Sequence, residues 1–196
     1  GGSAGTEDSD GIWGDCIREV NQNGELVWEW RAHDHIEIEK YPICPICPRR
    51  EWAHPNSIWP LKNGDILVSW RHNHLIAVID RNTGKFKWEW CDSTLGHQHD
   101  FQALENENYM VFLNGAHAPM THSYTRVLEF DPRTRETIWE YSGTPKYTFN
   151  SPFISGAQRL WSGNTLICEG QWGRIFEVTP ACQIVWEYIS PFFVSD

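Results

Sequence analysis

Histidines dominate the residues of this sequence that could carry out chemistry. The chain has nine of them. Three pairs have His-x-His spacing: His33/His35, His72/His74 and His97/His99. Near neutral pH an imidazole can act as nucleophile, acid, base or metal ligand. Arg71, Arg126 and Arg174 occur close to such segments, and a guanidinium fork binds sulfate, phosphate or carboxylate. Together these residues predict a site that handles an anion.

A metal site is the alternative interpretation of the same histidines. On an extended strand, side chains i and i+2 share a face, so a His-x-His pair can chelate a cation. Asp34 or Asp100 could complete a zinc or copper site of this kind. The candidate ligands are His33, His35, His97 and His99.

A Cys-x-x-Cys motif stands in a proline-rich segment. Cys44 and Cys47 are two of six cysteines, and the prolines around them disfavour strand pairing. The pair could be a local disulfide, half of a zinc site, or a redox pair. A second Cys-x-x-Cys does not occur in the sequence, which argues against a four-cysteine zinc site. We predict a structural disulfide between Cys44 and Cys47 that pins this segment.

The elements that must position these side chains are revealed by an internal repeat. Four segments share a Trp-Glu-aromatic ending: Val27–Trp30, Lys87–Trp90, Ile138–Tyr141 and Val185–Tyr188. Each follows short β-branched runs separated by Asn, Asp and Gly turns, a pattern typical of hairpins. Four short strands in about 50 residues are typical of a β-propeller blade. We expect each repeated Trp to pack between blades, with the following Glu pointing outward.

The predicted fold is all-β, a partial β-propeller of about three and a half four-stranded blades within one domain, residues 1–196. The divisions are a half blade (12–30), an inserted Cys/Pro loop (31–53) and blades at 54–90, 97–141 and 153–188. Such a set of blades does not close a ring. We therefore expect the remaining blades to come from the rest of the protein or from another chain.

This strand map predicts where the histidines lie. Naming the strands of a blade A to D from the axis outward, the D–A and B–C connections emerge on one face of a propeller. The map assigns all nine histidines to that face. Histidines in loops often only contact water or hydrogen bond to a neighbouring backbone. The placement of all nine histidines on one face is therefore the argument that they have a function.

Composition excludes two classes of partner. Asp and Glu outnumber Lys and Arg by 26 to 16, for a net charge of −10. This balance argues against binding a nucleic acid backbone. No apolar run approaches the ~20 residues that span a bilayer, so we expect no membrane span.

Several of these segments resemble the bacterial arylsulfate sulfotransferase (arylsulfotransferase) family of β-propellers. The segments that carry the resemblance are Glu51–Ile58, Leu67–His72, Gly96–Phe101, Val111–Gly115, Ser151–Leu160 and Asn164–Gly170. The resemblance covers most of residues 12–190. It implies sulfuryl transfer from an aryl sulfate to a phenol through a sulfohistidine intermediate, without a nucleotide donor or other cofactor. It also implies a periplasmic or extracellular protein.

Matching by motif, the resemblance implies that His99 is the nucleophile and that His54 and Arg71 bind the sulfuryl oxygens. His97 and Arg126 are further substrate-binding candidates, chosen by their places in the strand map. The family uses another channel histidine from an earlier blade, which this chain does not contain, and Asn114 stands where the family has Asp. The alternative function is a non-catalytic propeller that serves as a structural or binding module of a larger extracellular assembly, with metal bound by histidine.

Overall fold

A computed structural model describes residues 12–192, and these residues form fourteen β-strands. In chain order the strands are β1 Cys16–Val20, β2 Leu26–Arg31, β3 Pro55–Pro60, β4 Ile66–Trp70, β5 Leu75–Ile79, β6 Phe86–Cys91, β7 His99–Ala103, β8 Tyr109–Leu113, β9 Arg126–Phe130, β10 Thr137–Ser142, β11 Gly156–Arg159, β12 Thr165–Glu169, β13 Arg174–Val178 and β14 Ile184–Ile189. Within this range there is no α-helix, and therefore none long and apolar enough to cross a membrane.

The strands form four antiparallel meanders. β1 and β2 pair as a two-stranded sheet, and β3–β6, β7–β10 and β11–β14 each form a four-stranded sheet in sequence order. Tight polar turns join the strands of each hairpin, as at Asn63-Gly64, where Gly64 has a φ of 89° that a side chain would disfavour. The all-β, partial-propeller prediction is confirmed in the described chain, whose four sheets do not close into a ring.

Five short 3₁₀ turns interrupt the connections between strands. They are Ala32–Asp34, Ser93–Leu95, Met120–His122, Lys146–Thr148 and Gly170–Trp172. Each lies in a D–A or a B–C connection, the segments that the strand map assigns to one face. This face therefore carries the irregular backbone of the described chain, and with it the freedom to place side chains.

Neighbouring sheets are joined by three separate hydrophobic cores. The repeated tryptophans bridge them in the same way each time, because the indole of one sheet donates to a carbonyl in the C–D turn of the next. Trp28 donates to Arg81, Trp88 to Pro132 and Trp139 to Pro180, at 3.0, 2.7 and 3.0 Å. Trp28, Trp88 and Trp139 each pack against one of the three cores, as expected.

The fourth sheet differs from the others at its outer strand. All six residues of β14 are exposed, whereas the equivalent outer strands β2, β6 and β10 each have at least three residues that are buried or partly buried. Trp186, the fourth repeated tryptophan, is 50% exposed. In the described part of the chain, the fourth sheet thus lacks the neighbour that covers the equivalent tryptophan of the other sheets.

The inserted loop packs as part of the first core. Tyr41, Cys44 and Trp52 are almost fully buried in it. Its backbone is tied to the β4–β5 turn, because Cys44 N donates to the His72 carbonyl and the Asn73 side chain donates to the Tyr41 carbonyl, both at 2.7 Å. The loop is therefore held directly against the histidine-rich turns.

Candidate functional site

His99 is held by a hydrogen-bond network that assigns its proton. His99 begins β7, and its Nδ1 lies 2.7 Å from Oδ1 of Asn114, which follows β8. Asn114 Nδ2 donates to the carbonyls of Ser151 and Ile154, at 2.7 and 2.8 Å. Carbonyl oxygens only accept, so the amide oxygen must face His99. Nδ1 therefore carries the proton and Nε2 carries the lone pair, which is the arrangement that a nucleophilic imidazole requires.

Arg71 and His54 lie at adjoining ends of β4 and β3. Arg71 N donates to the His54 carbonyl at 3.0 Å. Arg71 Nη1 donates to His72 Nε2 at 2.9 Å, and His72 Nδ1 donates to the Glu51 carbonyl at 2.6 Å. Both nitrogens of the buried His72 ring are thus engaged, and the ring orients the guanidinium. The other N–H groups of Arg71 have no side-chain partner among residues 12–192, which leaves them available to an anion.

The imidazole of His54 is held by the carboxylate of Glu51. Its Nδ1 lies 2.7 Å from Glu51 Oε2, and its ring lies 4.8 Å from that of His72. Its backbone N donates to Asp15 Oδ2 at 3.1 Å. These contacts leave His54 Nε2 to act on a substrate. We call Glu51, His54, Arg71, His72 and His99 the arginine cluster.

The electrostatics of the arginine cluster favour a neutral His99 ring. Burial lowers the pKa of His99, and the charges of Arg71 and His54 lower it further. Burial also lowers the pKa of His72. Because Arg71 and His54 both act on the His99 ring, these three predicted site residues are brought within electrostatic range of one another.

A second group of side chains converges beside the arginine cluster. Cys44, Cys47, His97 and His117 place one sulfur or nitrogen each so that the four atoms lie within 4.8 Å of one another. Cys47 Sγ lies 3.2 Å from His97 Nε2, and His117 Nδ1 lies 3.4 Å from Cys44 Sγ and 3.5 Å from Cys47 Sγ. Burial lowers the pKa of His97 to about 2, so its ring is neutral. We call these four residues the thiol cluster.

The predicted disulfide between Cys44 and Cys47 is wrong for this structure. Both cysteines are free and buried. Their sulfurs contact the imidazoles of His97 and His117 instead of bonding to each other. The local spacing of the motif carries no information about these imidazoles, because His97 lies 50 residues from Cys47 and His117 lies 73 residues from Cys44.

The alternative metal set of four histidines is not brought together. His33 lies next to Asp34 in a 3₁₀ turn, and His35 stacks on Trp30 with a ring separation of 5.0 Å. His35 also lies against Gly84 in the β5–β6 turn, a turn that the map assigns to the opposite face. The prediction that all nine histidines share one face therefore fails at His35.

The His97/His99 pair is split because its backbone is not extended. His97 has a φ of 60° and Asp100 a φ of 50°, so the rule that residues i and i+2 share a face does not apply. His97 turns to the cysteines and His99 to Asn114. Asp100, which was considered as a completing ligand, accepts a hydrogen bond from Ala157 N at 2.7 Å instead.

The two further substrate-binding candidates are engaged elsewhere. His97 is fully buried, with Nε2 against Cys47. Arg126 donates from Nη2 to the Thr94 carbonyl at 3.2 Å and pairs with Glu140 at 3.5 Å. Neither side chain contacts His99 through its functional nitrogens in the described structure.

Three residues shape the site in roles that the sequence did not assign to them. Asn114 sets the His99 tautomer, His72 orients Arg71, and His117 joins the cysteines. His72 and Asn114 could have been suspected from the sequence, since they lie in the motif segments Leu67–His72 and Val111–Gly115.

Four histidines also adopt left-handed backbone, a strained conformation that clusters at functional sites. They are His54, His74, His97 and His117, with φ between 47° and 60°.

Comparison with known proteins supports both the fold and a family. A family model described as arylsulfotransferase (ASST) matches residues 2–191. No curated protein matches this sequence.

Solved structures of low sequence identity share the fold. A protein of unknown function from Bacteroides caccae is 18% identical, with a TM-score of 0.61, and the match covers 89% of this chain and 54% of that one. Virginiamycin B lyase from Staphylococcus aureus is 16% identical, with a TM-score of 0.51 over 71% of this chain and 42% of that one. The Cps50 (Swd1) β-propeller domain of Myceliophteria thermophila is 9% identical, with a TM-score of 0.53 over 89% and 48%. The chain thus spans about half the length of these structures, which show the fold alone.

Proposed function

Because the chain belongs to the arylsulfotransferase family, we propose that it supplies the nucleophile and anion-binding residues for sulfuryl transfer from an aryl sulfate to a phenol. The observation that carries this proposal is the His99 network. Asn114 holds the proton on Nδ1, so the lone pair of Nε2 is available, and Arg71 and His54 act on the same ring.

In the first half-reaction, His99 Nε2 attacks the sulfur of the aryl sulfate. An N–S bond forms, the S–O bond to the aryl group breaks, and its electron pair leaves with the phenolate. The product is a sulfohistidine with its proton still on Nδ1, donated to Asn114. Arg71 and His54 bind the sulfuryl oxygens, where they stabilise charge in the transition state.

In the second half-reaction, an acceptor phenol attacks the sulfur of the sulfohistidine. The new S–O bond forms, the N–S bond breaks, and its electron pair returns to Nε2. The phenol gives its proton to solvent. Two half-reactions on one covalent intermediate predict ping-pong kinetics.

The rest of the site comes from additional blades. The uncovered β14 strand and the half-exposed Trp186 support a further blade beside the fourth sheet. We propose that blades from the rest of the protein or from another chain complete the channel and contribute the family's additional histidine. A periplasmic or extracellular location is likewise proposed from the family alone, since the free thiols of Cys44 and Cys47 give it no support.

The test uses 4-nitrophenyl sulfate as donor and phenol as acceptor, with the assembled protein. We expect release of nitrophenol that is lost in His99→Ala and retained in His122→Ala, a histidine outside both clusters. Incubation with donor alone should add one sulfuryl group to the wild-type mass and none to the His99→Ala mass. Equal turnover in wild type and His99→Ala would exclude His99 as nucleophile.

A further inference from the structure

The thiol cluster has the composition and spacing of a metal centre. Its four donor atoms come from the inserted loop, the connection before β7 and the β8–β9 connection, and all lie within 4.8 Å of one another. Two sulfurs and two imidazole nitrogens are the donors of structural zinc sites. We propose that Cys44, Cys47, His97 and His117 bind one Zn²⁺ ion in tetrahedral geometry.

The distances fit that ion. With Zn–S near 2.3 Å and Zn–N near 2.0–2.1 Å, a tetrahedral centre places sulfur and nitrogen ligands about 3.5 Å apart. Three of the four sulfur–nitrogen separations in the cluster are 3.2, 3.4 and 3.5 Å, and the fourth, between Cys44 and His97, is within 4.8 Å. Only small adjustments of the side chains are therefore needed to admit the ion.

The charge of the site also suits zinc. When Zn²⁺ binds, the Cys44 and Cys47 thiols each lose a proton to solvent, while His97 and His117 bind as neutral rings. Two thiolates and Zn²⁺ give a centre with no net charge, which can be buried next to Arg71. Three of the ligands are buried and His117 is exposed, so the ion can enter from the His117 side.

The neighbouring arginine cluster is a poor alternative for the cation. Glu51, His54 and His72 also place donor atoms within 4.8 Å of one another. However, His72 Nε2 already accepts from Arg71, whose fixed positive charge would repel a metal ion. Of the two groups of donors, only the thiol cluster is free of a bound guanidinium.

Four protein ligands complete a tetrahedron and leave no open position, which assigns the zinc a structural role. It would join the inserted loop to two connections of the third sheet. One of those connections carries the His97 carbonyl, which lies 3.1 Å from His99 Nδ1. The zinc therefore braces the backbone next to His99, and the site stands whether or not the chain transfers sulfuryl groups.

The test measures zinc on the purified full chain. We expect one zinc ion per chain in wild type and almost none in Cys44→Ser/Cys47→Ser. His117→Asn should weaken Zn²⁺ binding at least about tenfold, because it removes one ligand while asparagine tolerates the left-handed backbone at this position. His122→Asn, in the same connection, is the matched control and should bind zinc as wild type does.

Cobalt provides a second readout that needs no variant. Co²⁺ in place of Zn²⁺ should show the absorption of tetrahedral cobalt together with sulfur-to-cobalt charge-transfer bands. Removal of zinc with a chelator should lower the Tm of wild type by several degrees and leave the double serine variant unchanged. A zinc-free wild type that fails to take up Zn²⁺, an octahedral cobalt spectrum, or a Cys44–Cys47 disulfide in protein prepared with zinc would each overturn the proposal.

Discussion

The arginine cluster and the thiol cluster lie side by side and use the same imidazole chemistry, yet their surroundings differ. In the arginine cluster, the Arg71 guanidinium hydrogen bonds to His72, and burial together with the charge of Arg71 lowers the pKa of His99. In the thiol cluster, His97 and His117 contact the sulfurs of Cys47 and Cys44 instead of a guanidinium. A fixed cation favours an anionic substrate, whereas two thiols favour a soft metal ion. Because the imidazole is the same in both clusters, the groups around each histidine decide whether it favours an anion or a metal ion.

One short segment supplies both clusters. His97 and His99 are two residues apart, but the left-handed backbone at His97 directs them to different partners. The two clusters contact each other through the His72 and His97 rings, 5.8 Å apart, through the hydrogen bond from His99 Nδ1 to the His97 carbonyl, and through the hydrogen bond from Cys44 N to the His72 carbonyl. Both hydrogen bonds end on backbone carbonyl groups, which substitution of a side chain does not remove. We therefore expect substitutions to separate anion chemistry from metal binding.

The largest separation is expected from Arg71→Met. Methionine keeps much of the length of the side chain and removes the charge and the fork, so the sulfuryl oxygens lose their principal donor. We expect kcat/KM with 4-nitrophenyl sulfate to fall by about 10²–10³, while zinc content stays at one per chain. Steady-state kinetics and elemental analysis of the same preparation check both parts. Loss of zinc with unchanged kinetics would reverse the assignment of the two clusters.

A smaller effect is expected from Asn114→Ala. The substitution removes the closer of the two acceptors of the His99 Nδ1 proton and leaves only the His97 carbonyl. It also leaves the Ser151 and Ile154 carbonyls without their donor. We expect kcat to fall about tenfold with little change in KM, and the free energy of unfolding to fall by about 1–3 kcal/mol.

Asn114→Asp is the control that separates these two consequences of the substitution. It keeps an acceptor for His99 Nδ1 but cannot donate to the carbonyls, so it should recover kcat and not stability. Denaturant unfolding and kinetics measure the two quantities. Equal kcat in the alanine and aspartate variants would remove the positioning role of Asn114.

The smallest effect on activity is expected from Arg126→Gln. The side chain of Arg126 is only 11% exposed, pairs with Glu140 at 3.5 Å and donates to the Thr94 carbonyl at 3.2 Å. We expect kcat/KM within about twofold of wild type and a loss of about 1.5–3 kcal/mol in unfolding free energy, the range for a hydrogen bond to a charged group. A tenfold loss of kcat/KM would return Arg126 to the anion site.

The fold was predictable because short stretches of the sequence are enough to recognise the repeat. The Trp-Glu-aromatic endings and the Asn-Gly turns mark strands and hairpins over a few residues, and neighbouring strands then pair in sequence order. The roles of His99, His54 and Arg71 came from motif resemblance and remain predictions, although the structure brings the three residues within electrostatic range.

The errors concern contacts between distant segments and the backbone conformation of loops. Cys44 was assigned to Cys47, its nearest cysteine in the sequence, although its imidazole neighbour His117 is 73 residues away. In the alternative interpretation the His-x-His pairs chelate a cation, but that rule holds only for extended backbone, and His74 and His97 are left-handed.

The amino-acid order alone therefore determined the strand repeat, the sheet order and the residue types available for chemistry, because hydrophobic alternation and turn preference act over a few residues. The tertiary structure alone decided which imidazole faces a guanidinium, which faces a thiol and which nitrogen of His99 bears the proton. The contact with a thiol and the position of the His99 proton depend on hydrogen bonds between segments that are separated by 15 to 73 residues. All three choices depend on backbone conformations that loops adopt only when packed together.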